Sequence, residues 1–91
     1  MTDVKKDLYV EIADERFHQD KKWGGPDHDS HHTSFEWVGF ITHYLGKSIE
    51  CIINNAGKEE HQLLLFRYNM IKVAALAVAA VEAVDRKLKS S

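Results

Sequence analysis

Apolar residues recur along this chain at helical rather than strand spacing. From Asp3 to about Lys22, Val4, Leu8 and Ile12 fall at i, i+4 with charged residues between them, which predicts an amphipathic helix ending near Trp23. Gly24, Gly25 and Pro26 break the pattern, and Asp27 to His32 is polar and rich in turn formers, so this stretch is expected to be the one long loop. Thr33 or Ser34 then offers an N-cap, with Glu36 or Trp37 in the first turn of a second helix. Its Val38, Ile41, Leu45, Ile49 and Ile52 form one aliphatic stripe, and Gly39 and Gly46 allow a neighbour to come close. Asn54, Asn55, Ala56 and Gly57 supply a stop. A third helix follows from about Lys58 to Lys87, with Arg86, Lys87 and Lys89 suited to the negative end of a helix dipole. Strand-like alternation and internal repeats are absent. The expected fold is all-α, a single domain spanning 1–91 and built from three helices, the last long and apolar.

That last helix poses the central question. Between Leu63 and Val81 apolar residues occupy almost every side, interrupted only by Arg67, Asn69 and Lys72. An unpaired ammonium is costly to bury, so Lys72 must snorkel outward, pair with a carboxylate or meet an anionic ligand. A helix apolar all round must also be covered all round, which two shorter helices of one chain cannot do. Ala74, Ala75, Ala77, Ala79 and Ala80 would admit a close neighbour, so a helical homo-oligomer centred on this helix is expected.

Composition narrows the classes. The 91 residues are 44% hydrophobic and 29% charged, which is a globular balance, and a net charge of −2 with dispersed bases gives no field for nucleic acid. Cys51, the single cysteine, lies among Ile49, Ile52 and Ile53 and reads as a buried thiol in a reducing compartment, which favours the cytoplasm. The opening MTDVKKDLYV has no apolar core of signal-peptide length, and the uncharged run after Lys72 is short and alanine-rich, so no membrane partner is expected.

Candidate chemistry gathers on the second and third helices. Trp37, Phe40, Tyr44, Lys47 and Cys51 form an aromatic row ending in a lysine, and Leu65, Asn69, Lys72 and Leu76 share a face of the third helix. Where these faces meet, Tyr44, Lys47, Asn69 and Lys72 would form a polar island walled by aromatics, able to stack a ring and hold phosphate with point charges. The alternative is that Lys47 pairs with Glu50 or an acid of the first helix and the aromatics are core. In the loop, Asp27, His28, Asp29, His31 and His32 are ligand types for zinc, but their spacing is not that of a defined site, and an exposed polar turn is the expected reading, with no metal or cofactor. Cys51 in its apolar setting is no candidate nucleophile.

The stretch EIADERFHQDKKWGGPDHD, the FEW of the second helix and VAALAVAAVEAVDR together resemble small phage and prophage proteins related to the MazG-like, all-α nucleotide pyrophosphohydrolases. The resemblance rests on Glu15, Arg16, Gln19, Trp23 and Gly24, which match a Glu-Arg-x-x-Gln segment and a Trp-Gly pair. In those enzymes, acidic motifs on the next two helices bind magnesium, which organises a triphosphate for attack by water. Here His43, Tyr44 and Lys47 align with the first acidic motif, with Gly46 keeping its glycine, and Asn69 and Lys72 align with the second. Lysines where hard anionic oxygens belong would repel magnesium. In size, expected assembly and altered site the chain is also similar to small oligomeric phage proteins that sequester cyclic or ADP-ribose-type nucleotide signals of bacterial defence. The expected function is therefore nucleotide binding without hydrolysis in a host cytoplasm. Lys47, Lys72 and Arg16 would meet phosphate, Trp23, Trp37 or Tyr44 would stack on a base, and Gln19 and Asn69 would read polar edges. A residual metal-dependent pyrophosphohydrolase using Asp14, Glu15 and the histidine-rich loop is one alternative. A module that binds a host protein through the third helix is the other.

Overall fold

Glycines and caps set the helix boundaries. The structure, a computed structural model, describes residues 4–54 and 57–90, except for the side chains of residues 4–6, 28 and 90. Helix α1 spans Val4–Trp23, α2 Gly25–Asp29, α3 Ser34–Asn54 and α4 Glu59–Ser90. Gly24, at φ 105°, ends α1, and Gly57, at φ 86°, lies between α3 and α4; both occupy the left-handed region where a side chain would be strained. At the start of α3 the Thr33 amide donates to Glu36 Oε1 at 2.8 Å and the Glu36 amide donates to Thr33 Oγ1 at 3.2 Å. This reciprocal capping box satisfies two backbone donors at the helix start. Of the stop read at 54–57, Asn55 and Ala56 lie outside the described residues.

The long loop expected over Asp27–His32 is partly helical. Pro26 stands at the second position of α2, and the Ser30 amide and hydroxyl both donate to its carbonyl at 2.9 Å. From α4, Arg86 Nε donates to Ser30 Oγ at 3.0 Å and Arg86 Nη2 to the Pro26 carbonyl at 3.3 Å, while Lys87 Nζ donates to the His32 carbonyl at 3.0 Å. Bonds from more than fifty residues away hold this turn, so four helices form where three were expected.

Helix α4 is the centre of the chain, packed by α3 on one side and by α1 and α2 on another. Residue pairs along each seam show that α3 runs antiparallel to α4 and α1 runs parallel to it, with Cys51 against Asn69 in one and Glu11, Glu15 and Arg16 against Arg67, Lys72 and Glu82 in the other. The core is a small cluster of Trp37, Leu76, Ala79 and Ala83, flanked by Ile41, Tyr44 and Ala80. Trp37, Ile41, Tyr44, Ser48 and Cys51 thus form the face of α3 toward α4, while Val38, Leu45, Ile49 and Ile52 of the aliphatic stripe are exposed. Cys51 is half-buried rather than buried. Exposed apolar residues continue on α4, where Val81, Val84 and Leu88 are spaced i, i+3, i+7. The radius of gyration, 15.0 Å, exceeds the roughly 12 Å of a compact chain of this length. Helix α4 is long and apolar enough, by length and composition alone, to cross a bilayer, a test that core helices of soluble proteins also pass.

Candidate functional site

Three helices converge on a cavity of about 410 Å³. Helix α1 brings Arg16, Gln19, Asp20 and Trp23 to it, because these fall on the continuation of the half-buried Leu8–Ile12 face one to three turns on. Helix α3 adds Trp37, Phe40 and Tyr44, at the i, i+3, i+7 spacing of the row read from the sequence, together with His43. Leu76 and Ala79 of α4 form the floor, and Asp29 and His32 enter from the α2 turn.

The α3 side is a cluster of edge-to-face rings. His32 lies 5.2 Å from Trp37 and 5.0 Å from Phe40, centroid to centroid, and Trp37 lies 6.0 Å from Phe40, all nearly perpendicular. Such pairs add stabilisation beyond area burial and hold the rings rigid. Opposite them is a charged knot. Arg16 Nη1 donates to Asp20 at 3.0 Å, Nη2 donates to Glu82 at 3.0 Å, and Asp29 lies 3.9 Å from Nη2. Burial works against the Arg16 charge, but the bonds to Glu82 and Asp20 outweigh it and hold its pKa above the ordinary arginine value. Burial raises the Asp29 carboxyl above its ordinary value, with Arg16 pulling the other way. With histidines neutral, Arg16, Asp20 and Asp29 leave the wall with an excess of one negative charge.

Of the residues singled out from the sequence, Arg16, Gln19, Trp23, Trp37 and Tyr44 line this one cavity, whereas Lys47, Asn69 and Lys72 do not. The two lysines sit beyond Tyr44, their ammonium nitrogens 5.5 Å (Lys47) and 5.7 Å (Lys72) from its ring centre. Lys72 is paired with a carboxylate: its Nζ is 3.5 Å from Glu15 Oε2 and 4.8 Å from the ring centre of Tyr68. Burial lowers the Lys72 pKa, but contact with Tyr68 and the Glu15 charge more than reverse this, so the group is a stable cation. Lys47 is exposed. Asn69, a turn below Lys72 on α4, is buried and donates to the Leu65 carbonyl at 3.1 Å and to Cys51 Sγ at 3.8 Å.

Several participants had not been assigned to ligand binding. Asp20, Asp29, His32, Phe40 and His43 line the cavity, Glu82 pairs with its Arg16, and Glu15 pairs with Lys72 behind Tyr44. Phe40 was legible from the aromatic row; Glu82, sixty-six residues from Arg16, was not. Among the described residues, no three histidine, cysteine or acidic side chains come close enough to hold a metal ion. The side chain of His28, one of the five ligand types in the loop, is outside the described residues. Asp14 is exposed and lies along a shallow groove with Glu11 and Glu15, away from the aromatic cavity.

Chemically, the site pairs a rigid aromatic recess with a self-neutralised arginine, and it has an exposed cation one ring away. It can stack a planar ring and hold an attached anion outside the recess. No family model, curated protein or solved structure matches this chain.

Proposed function

We propose that this protein binds a phosphorylated nucleotide in the α1–α3–α4 cavity and sequesters it without hydrolysis. The observation that carries this reading is the juxtaposition, across Tyr44, of an aromatic-walled recess of about 410 Å³ and the exposed ammonium of Lys47. A volume of that size suits a small ligand, and recesses that bind one are mostly apolar with a few placed polar groups. The acid-rich knot around Arg16 disfavours a phosphate inside the recess, because both of the guanidinium's terminal nitrogens already donate to carboxylates. The base therefore enters between the rings, and phosphate extends past Tyr44 to Lys47. Lys72 acts behind this arrangement, holding Tyr44 rather than the ligand. Lys47 and Lys72, at the positions that the resemblance assigns to metal-binding acids, support binding over metal-assisted hydrolysis. A cyclic or ADP-ribose-type defence signal, in a host cytoplasm, is the ligand class that the resemblance suggests.

The protein works as a homo-oligomer in this proposal. Among the described residues five apolar side chains are buried while nineteen large ones are exposed, which is too little core for an isolated domain. The accessible surface is 6740 Å². A folded monomer of this mass should expose about 5,400 Å², so the excess is larger than the roughly 800 Å² that each partner contributes to a standard interface. The exposed stripes of α3 and α4 are the surfaces for that association.

The test is to incubate the purified protein with nucleoside triphosphates, cyclic oligonucleotides, cyclic ADP-ribose isomers and magnesium, then chromatograph the small molecules before and after heat denaturation. A compound missing before heating and recovered intact afterwards is the expected result. Conversion to a monophosphate would restore the hydrolase reading. An unchanged pool would reject nucleotide binding and turn attention to a host protein on the exposed apolar faces.

A further inference from the structure

Two buried polar atoms of residues that line this cavity have no partner. Gln19 is 3% exposed and Trp37 is 5% exposed, and both residues line the recess, yet Gln19 Oε1 and Trp37 Nε1 make no hydrogen bond. The orientation of the glutamine amide is fixed by its surroundings. Its Nε2 faces two acceptors, Glu15 Oε2 at 3.2 Å and the Lys72 carbonyl at 3.5 Å, so turning the amide over would set oxygen against oxygen. Glu15 is itself held there by Lys72. The acceptor left over is therefore Oε1, and an indole nitrogen offers only a donor. Natural proteins leave few such groups unsatisfied, and an orphan acceptor on α1 with an orphan donor on α3, in residues that line one aromatic recess, asks for a bound group with the complementary pair.

We propose that the recess, which has room for a two-ring base, recognises an aminated heteroaromatic ring of the 6-aminopurine kind through its edge: the exocyclic N–H donates to Gln19 Oε1 and a ring nitrogen lone pair accepts from Trp37 Nε1. This deepens the nucleotide-binding reading and rests on it. Phosphate supplies acceptors only and would leave Gln19 Oε1 unsatisfied; an ammonium supplies donors only and would leave Trp37 Nε1 so. A neutral ring with both fits the wall, where the charges of Arg16 are already met by Asp20 and Glu82. Both orphan atoms are shielded from water, so the ring seats by parting the α1 side chains from the ring cluster of His32, Trp37 and Phe40.

The experiment is calorimetric titration of the full chain with adenosine and with purine riboside, which has the same ring and sugar but no exocyclic amine. Wild type should bind adenosine about tenfold more tightly, the value of one well-buried hydrogen bond. Gln19→Met should bring that ratio near one, whereas Trp37→Phe should weaken both nucleosides and keep the ratio. Equal affinity for the two nucleosides in wild type, which needs no variant to fold, overturns the inference, as does an undiminished ratio in a helical Gln19→Met protein. If nucleotide is retained in the sequestration assay while the two nucleosides bind alike, this edge assignment fails and the broader reading stands. If neither nucleosides nor the nucleotide pool bind, both fail.

Discussion

Lys72 is the residue on which the physical account can be tested most sharply, and replacement with methionine is the perturbation that tests it. Methionine keeps an aliphatic side chain of similar length and deletes the charge that lies over the Tyr44 and Tyr68 rings. The Glu15 and Lys72 side chains are 13% and 15% exposed and 3.5 Å apart. At that separation two unit charges attract by about 4–5 kcal/mol with an effective dielectric constant near 20, and desolvation offsets much of it. Lys72→Met leaves Glu15 half-buried with only the Gln19 amide to hold it, so a loss of about 2 kcal/mol is expected, between the values for exposed and fully buried pairs. For a chain of this size that is a fall in Tm of about 8–16 °C, read by circular dichroism at fixed protein concentration. Glu15→Gln should cost less, because Lys72 keeps its contacts with two tyrosine rings. The double variant should be more stable than Lys72→Met alone, since it leaves no unpaired charge. Should Lys72→Met melt with wild type and the double variant gain nothing, the pair would contribute no stability and the lysine's position would need another cause.

Four further outcomes follow from the same geometry. Thr33→Ala breaks the capping box and should cost about 1 kcal/mol in thermal or urea unfolding, with α3 helicity otherwise intact. Asp29→Asn should raise Tm at pH 7 and leave it unchanged near pH 3: burial holds the folded carboxyl above its ordinary 3.8, so its ionisation costs stability as pH rises from there through the folded value. Light scattering should give a mass above the 10.4 kDa of one chain, and Val81→Glu, at an exposed apolar position of α4, should lower it. Amide exchange in α1 should accelerate between 0.1 M and 1 M salt more than in α3, because exposed ion pairs such as Glu11–Arg67 secure α1 and aromatic packing secures α3.

The sequence announces its helices clearly because the chain punctuates them with the residues that chain geometry requires. Gly24 and Gly57 take positive φ where the pattern stops, and Thr33 and Glu36 make a capping box where it resumes. Tyr44 and Trp37 reach one cavity because seven residues are two helical turns. Which face of α3 meets α4 was not legible, since both its aromatic row and its aliphatic stripe are apolar, and burial chose the row. Helix α2 was missed although Pro26 near its start was a usable signal; Arg86, read only as a complement to the α4 dipole, is what ties it down. Lys72 as an ion-pair partner stood among the options, but Glu15 as its partner depends on the parallel docking of α1 and α4, which no local pattern encodes.

That docking bears on how a ligand would act. The α1–α4 seam is joined largely by charge: Glu11 to Arg67 at 2.6 Å, Glu15 to Lys72 at 3.5 Å and Arg16 to Glu82 at 3.0 Å. The α3–α4 seam is joined by Trp37, Leu76, Ala79 and Ala83. Exposed pairs such as Glu11–Arg67 contribute little net stability and the apolar cluster lies on α3 and α4, so α1, tied mainly by the shielded Glu15–Lys72 pair, is the more weakly attached wall of the recess. A ring bound between Trp37 and Gln19 touches both walls and supplies across the gap the apolar contact and hydrogen bonds that the seam lacks. Ligand binding and α1 docking are then linked by mass action, each favouring the other. The two orphan atoms fit this linkage: one is on α3 and the other on α1, so a ring that satisfies both can do so only with α1 in place.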